Sequence, residues 1–191
     1  MTALPPFDPP IHRPLLPETD VSYAVCDTAV GRLLLAVTAD GVLVASRYAA
    51  TPAAEDAILT RLAARVSPRI LAHRRPLDEA QHQLDAYLSG KRRRFDVRTD
   101  LVLASPFQRT VLAALEHTPY GRTTTYGTLA DTIGKTGAAR AIGSALGANP
   151  LCVVVPCHRV LTATGGIGGY AGGIAAKERL LALESLTSPE R

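Results

Sequence analysis

The 191-residue sequence has no tryptophan, one methionine and only three phenylalanines, so its core must be built from aliphatic side chains and a few tyrosines. No apolar run approaches the roughly 20 residues that a membrane-spanning helix needs, and the N-terminus lacks an apolar signal core. No membrane association and a soluble, cytoplasmic location are the expectation. The three cysteines, Cys26, Cys152 and Cys157, are an odd number and do not suggest a disulfide framework. Neither a CxxC redox motif nor a paired histidine–cysteine spacing occurs, so no metal site is expected. Acid is scarce between residues 117 and 177, where Asp131 alone faces Arg122, Lys135, Arg140, Arg159 and Lys177. Residues 1–100, by contrast, carry 13 Lys+Arg against 12 Asp+Glu. A basic segment without balancing acids suits a polyanion partner, although an excess of this size is common.

What is present suffices for a packed fold: 47% of residues are hydrophobic and the mean hydropathy is +0.10. Residues 1–19 hold Pro5, Pro6, Pro9, Pro10, Pro14 and Pro17 and read as an extended, poorly ordered arm. Residues 20–90 read as a small α+β scaffold. Apolar runs at Tyr23–Asp27, Arg32–Thr38 and Val42–Arg47, separated by Val30-Gly31 and Asp40-Gly41, predict an antiparallel meander. Helices are predicted over Ala53–Val66, from the spacing of Ile58, Leu62 and Val66, and over Leu77–Leu88. Residues 91–104, opening with Lys91-Arg92-Arg93-Arg94, read as a basic linker.

Residues 105–191 form a mostly helical second domain. Ser105-Pro106-Phe107-Gln108 combines an N-cap, a proline at the first helical position and a capping-box glutamine. Phe107, Val111, Leu112 and Leu115 make that helix's apolar face. A short helix over Tyr126–Ile133 is capped by Thr125 and closed by Gly134. The helix over Ala138–Ala148 places Ile142, Ala145, Leu146 and Asn149 on one side and Arg140, Gly143, Ser144 and Gly147 on the other. Two glycines cost a surface helix about 2 kcal/mol relative to alanine, so the smooth, Arg-bearing face asks for a reason. Close approach to another surface is one reason, and internal helix packing is the other. The pair of helices looks like a DNA-reading helix-turn-helix.

The chemistry-bearing stretch follows. Leu151–Val155 is a short continuous apolar run, read as a buried strand, that ends in Pro156-Cys157-His158-Arg159-Val160. A thiol there is shielded yet reachable, but only its thiolate is a good nucleophile. His158 offers a base and Arg159 a cation. Sequence neighbours in extended chain point apart, which asks for a water between Cys157 and His158.

Pro156-Cys157-His158-Arg159-Val160, preceded by Arg140-Ala141-Ile142-Gly143 and Asn149-Pro150 and followed by Gly169-Tyr170-Ala171-Gly172-Gly173, resembles the O6-alkylguanine-DNA alkyltransferase family. The similarity runs from about Ser105 to Glu184; before that only the strand–helix layout is shared. The resemblance implies a ribonuclease-H-like N-terminal domain and a DNA-binding helix-turn-helix. It implies single-turnover repair: an alkyl group moves from O6-alkylguanine in double-stranded DNA to Cys157, with the nucleotide flipped from the minor groove. It assigns His158 as the water-bridged base, Glu184 as its orienting carboxylate, and Asn149 as the holder of the turn. Tyr126 donates to the guanine and Arg140 fills the stack. Ala139, Gly143, Ser144 and Thr125 belong to the DNA face. Tyr170, Ala171, Arg159, Val160 and Cys152 belong to the pocket. It implies no cofactor and no metal, and a monomer, with activity on O4-alkylthymine and cooperative assembly on DNA left open. Leu112 stands where many relatives carry tryptophan, and Cys152 where some carry proline.

Two rivals are weak. Gly166-Ile167-Gly168-Gly169-Tyr170-Ala171 fits a dinucleotide-binding pattern, but Gly172-Gly173 breaks the helix such a site requires. Non-catalytic alkyltransferase-like DNA-binding proteins lack the acceptor cysteine, and Cys157 is present.

Overall fold

A computed structural model describes residues 19–187. All but the last residue of the expected proline-rich arm, 1–19, lies outside the described residues. The meander forms as β1 (Val21–Thr28), β2 (Gly31–Thr38) and β3 (Leu43–Tyr48), paired antiparallel. A three-residue strand, β4 (Ile70–Ala72), then pairs parallel with β1, giving the order β3-β2-β1-β4. The sheet is therefore mixed, not purely antiparallel. A run this short between Pro68 and a charged stretch carries no alternation from which a strand can be read.

Strand β2 explains why its apolar run is unbroken. Leu33, Leu35 and Val37 point into one apolar cluster and Leu34 and Ala36 into another, so both faces are buried. On one face lies α1 (Pro52–Arg65), capped by Thr51 and anchored by Ile58 and Leu62. On the other lie α2 (Asp78–Leu88), entered through a single 3-10 turn at Arg75–Leu77, and the second half of the chain. One apolar cluster thus continues from Leu35 and Leu84 through Leu112 and Leu151 to Cys157 and Leu180.

The second half contains α3 (Pro106–Leu115), α4 (Tyr126–Thr132), α5 (Ala139–Gly147) and α6 (Ile174–Thr187). Two-residue strands β5 (Thr124–Thr125) and β6 (Val160–Leu161) pair parallel. The capping box at Ser105 and Gln108 forms with both reciprocal hydrogen bonds. Val111, Leu112 and Leu115 are buried as expected, whereas Phe107 remains 37% exposed, because it lies in the first turn, beyond the reach of the core.

The clearest departure lies at 151–157. Leu151–Val155 is not a strand: Leu151 makes one bridge to Ser46, and Val153 turns through the left-handed region at φ 71°. Val155 N–H donates back to Leu151 O at 2.7 Å, closing a tight turn. Continuous burial caused the misreading, since a buried turn and a buried strand share one apolar pattern. Cys157–Arg159 then forms a 3-10 turn. The chain therefore bends at the thiol, and Cys157 and His158 are not related by extended-strand geometry.

Ser105→Ala should cost about 1 kcal/mol, the usual value of a lost N-cap. Denaturant unfolding should show a lower midpoint with an unchanged slope.

Candidate active site

Asn149 organises the loop. Its Nδ2 donates to Val155 O at 3.0 Å and to Cys157 Sγ at 3.2 Å, while its Oδ1 accepts from Leu151 N–H at 2.9 Å. One buried amide thereby closes the turn and touches the sulfur. The scaffold half grips the same loop from outside. Ser46 N–H donates to Pro150 O, Cys152 N–H donates to Ser46 O, and the Ser46 hydroxyl donates to Cys152 O. Strand β3 is a sheet edge, and the loop satisfies it.

Cys157 is 5% exposed and lies on a cavity of about 400 Å³ lined by Tyr126, Gly143, Leu146, Gly147, Gly169, Tyr170 and Ala171. Its thiol is held below the ordinary range. The hydrogen bond of the neighbouring Cys152 thiol is the chief cause; Asn149 and the charge of Lys177 assist, and burial opposes them. Cys152 is pushed up in return. Lys177 is fully buried, with its ammonium donating to Val160 O at 2.6 Å and to Ile167 O.

Behind the sulfur, His158 Nε2 lies 2.6 Å from Glu184 Oε1. With a carboxylate at Nε2, the proton is assigned there and Nδ1 is left as the lone-pair nitrogen. Nδ1 is buried and has no hydrogen-bond partner among the described residues. Desolvation pushes the imidazole below its ordinary pKa of 6.5 despite the carboxylate, so it is neutral. Glu184, 1% exposed, also accepts from Arg159 Nε at 2.9 Å, from the Gly121 N–H at 2.9 Å and from the Tyr87 hydroxyl. Burial pushes its carboxyl up, but His158, Arg159 and Tyr87 together pull it down to about 2.

Of the expected pocket residues, Tyr170 and Ala171 line the cavity and Tyr126 closes it. Arg159, Val160 and Cys152 do not. Arg159 turns away to Glu184 and to Thr118 O at 2.7 Å, because a buried guanidinium needs a carboxylate and carbonyls rather than a thiol. Val160 is core, and Cys152 is buried behind the sulfur, its Sγ 3.5 Å from Asn149 O. The cation near the thiol is thus Lys177 rather than Arg159. Reasoning on the sequence also missed Tyr87, Gly121, Tyr48 and Ser46, which come from other elements. A lysine falling among buried positions of α6 was the one available signal, though it passed for surface charge.

Beside the cavity, α4 and α5 are joined by a six-residue turn, residues 133–138. Ile142, Ala145, Leu146 and Asn149 are buried, while Ala139, Arg140, Ser144 and Gly147 are exposed and Gly143 is half-buried. Among the described residues nothing lies within 4 Å of a Cβ built on Gly147, and one on Gly143 would make only ordinary contact with Tyr126 at 3.7 Å. Internal packing therefore does not require these glycines. Thr125 caps α4 by accepting from Thr128 N–H at 3.1 Å.

Fold and site define an α+β protein with a buried, hydrogen-bonded thiol beneath a cavity, beside a helix pair with a bare outer face. Residues 106–186 match the family model described as 6-O-methylguanine DNA methyltransferase, DNA binding domain. A Mycolicibacterium paratuberculosis protein named methylated-DNA--protein-cysteine methyltransferase is 52% identical over 110 residues, 58% of this chain and 66% of that protein. The chain thus spans just under two thirds of the length of that relative. The crystal structure of Mycobacterium tuberculosis O6-methylguanine methyltransferase matches with a TM-score of 0.74 at 38% identity, over 90% of this chain and 96% of that one. The M. tuberculosis OGT in complex with DNA matches with a TM-score of 0.72 at 38% identity, over 88% and 95%. The chain belongs to the O6-methylguanine-DNA methyltransferase family.

Acid should destabilise the protein in two windows. His158, depressed below 6.5, is stabilising while neutral, and that stability is lost as pH falls from 6.5 through its folded value. Glu184, depressed from 4.5 to about 2, loses its contribution as pH falls from 4.5 towards 2. Glu184→Gln should flatten the lower window in melting curves recorded against pH, and an unchanged profile would contradict the assignment.

Proposed function

We propose that this protein repairs double-stranded DNA by taking the alkyl group of O6-alkylguanine irreversibly onto Cys157. The observation that carries the reading is the buried, Asn149-bonded thiol facing a cavity beside an exposed arginine helix. The thiolate attacks the alkyl carbon; the S–C bond forms as the C–O6 bond breaks, and the electron pair passes into the purine. Tyr126, whose hydroxyl burial keeps protonated at rest, hydrogen-bonds the departing base and passes it a proton as the electron pair arrives, so that the base leaves neutral; water reprotonates the phenolate. His158 Nδ1, through a bridging water, takes the thiol proton, and Glu184 stabilises the resulting imidazolium, which returns that proton to water. Among the described residues no group beside the product thioether can cleave a C–S bond, so each molecule acts once.

Helices α4 and α5 act as a helix-turn-helix, with the bare face of α5 entering the minor groove. Gly143, Ser144, Ala139 and the α4 start at Thr125 face the backbone, and Arg140 occupies the stack vacated by the flipped nucleotide. Ala171 N–H reaches the O6 atom, and Tyr170 walls the pocket. The strand order β3-β2-β1-β4 supports a ribonuclease-H-like scaffold for the N-terminal half. The protein acts as a monomer in the cytoplasm.

Intact mass after incubation with a duplex bearing O6-methylguanine tests this directly. One stoichiometric gain on the peptide containing Cys157, abolished in Cys157→Ser, is expected; repeated release of product without modification would overturn it. Arg140→Ala should slow reaction with duplex far more than with free O6-benzylguanine, as read from the two second-order rate constants. Gly147→Ala should raise stability by about 1 kcal/mol, the helix-propensity difference, yet weaken duplex binding in a titration.

A further inference from the structure

We propose that Tyr48, at the end of the scaffold strand β3, is a positioning residue that sets the width of the acceptor cavity by bracing Tyr170. The inference rests on the alkyl-acceptor reading above. Tyr170 sits on the loop between β6 and α6, a glycine-rich stretch with no regular structure. Such a loop does not fix an aromatic wall by itself. The brace comes from the other half of the chain: the Tyr48 and Tyr170 rings meet edge to face, with centroids 5.5 Å apart and planes at 77°. The Tyr48 hydroxyl donates to the Tyr170 hydroxyl at 3.4 Å. Tyr170 also meets the His158 ring edge to face, with centroids 6.4 Å apart and planes at 83°.

Gly172 shows how closely the loop lies on Tyr48. A Cβ built there would fall far inside contact distance of the ring atoms Cζ, Cε1 and Cε2. The ring is rigid and is already backed by Gly31 on β2, where a Cβ would make ordinary contact at 3.5 Å. Relieving that overlap shifts the ring or the loop, and either disturbs the contact with Tyr170. The Tyr48 hydroxyl bonds Tyr170 rather than the Cys157 thiol, so the brace acts first on cavity shape.

Tyr48→Ala should therefore raise the half-saturating concentration of free O6-benzylguanine by about three- to tenfold, the value of a lost aromatic edge contact. The limiting rate of Cys157 alkylation should change by less than about twofold. Tyr48→Phe, which keeps the ring, should stay near the parent protein. Gly172→Ala should lose both melting temperature and reactivity, and adding Tyr48→Ala to it should restore both to the level of Tyr48→Ala alone. Should Tyr48→Ala not fold, Tyr48→Leu replaces it in the same measurements. Parent protein that never gains the benzyl mass would sink the acceptor reading itself. Normal alkylation of the parent with an unmoved half-saturation in Tyr48→Ala, or a double variant no better than Gly172→Ala, overturns the brace alone.

Discussion

The arrangement of the site depends on one buried carboxylate. Glu184, on α6, accepts from His158 and Arg159 in the 3-10 turn, from Gly121 in the loop after α3 and from Tyr87 on α2. Four separate parts of the chain meet at two oxygen atoms. A carboxylate this deep survives only because the Arg159 guanidinium offsets its charge and the other donors fill its lone pairs. Removing one partner leaves an unpaired charge in the core, which costs several kcal/mol and strikes fold and site together. The same carboxylate fixes the imidazole ring, leaving Nδ1 as the basic nitrogen.

A second constraint is the edge of the scaffold sheet. Strand β3 pairs with β2 on one side and presents Ser46 to the Pro150–Cys152 segment on the other. A left-handed valine and a tight turn are tolerated at 151–155 because this edge and the Asn149 amide hold the turn from both sides. The N-terminal half thereby does more than add core volume. Its hydrogen bonds position the backbone that carries the thiol, and its Tyr48 ring lies against the far wall of the cavity.

Much of the second half was legible because its signals are local. The capping box at Ser105, the cap at Thr125 and the division of α5 between Ile142 and Arg140 each depend on residues within one or two turns. The family signature around Cys157 was equally compact. The turn at 151–155 was not legible, because burial on all sides erases the periodicity that separates strand from turn. Strand β4 was missed for want of length. Arg159 was placed beside the thiol because adjacency in sequence was the only guide; its side chain leaves on the opposite side of the 3-10 turn.

The amino-acid order by itself determined the helices, their caps, the exposed arginine face and which cysteine, histidine and asparagine belong to one motif. These follow from steric and hydrogen-bonding preferences over a few residues. Tertiary structure alone decided which cation lies near the sulfur, what satisfies Glu184, and that a tyrosine 122 positions upstream meets Tyr170. Such contacts join distant segments, and they are selected by the packing of one shared core, which no local pattern encodes.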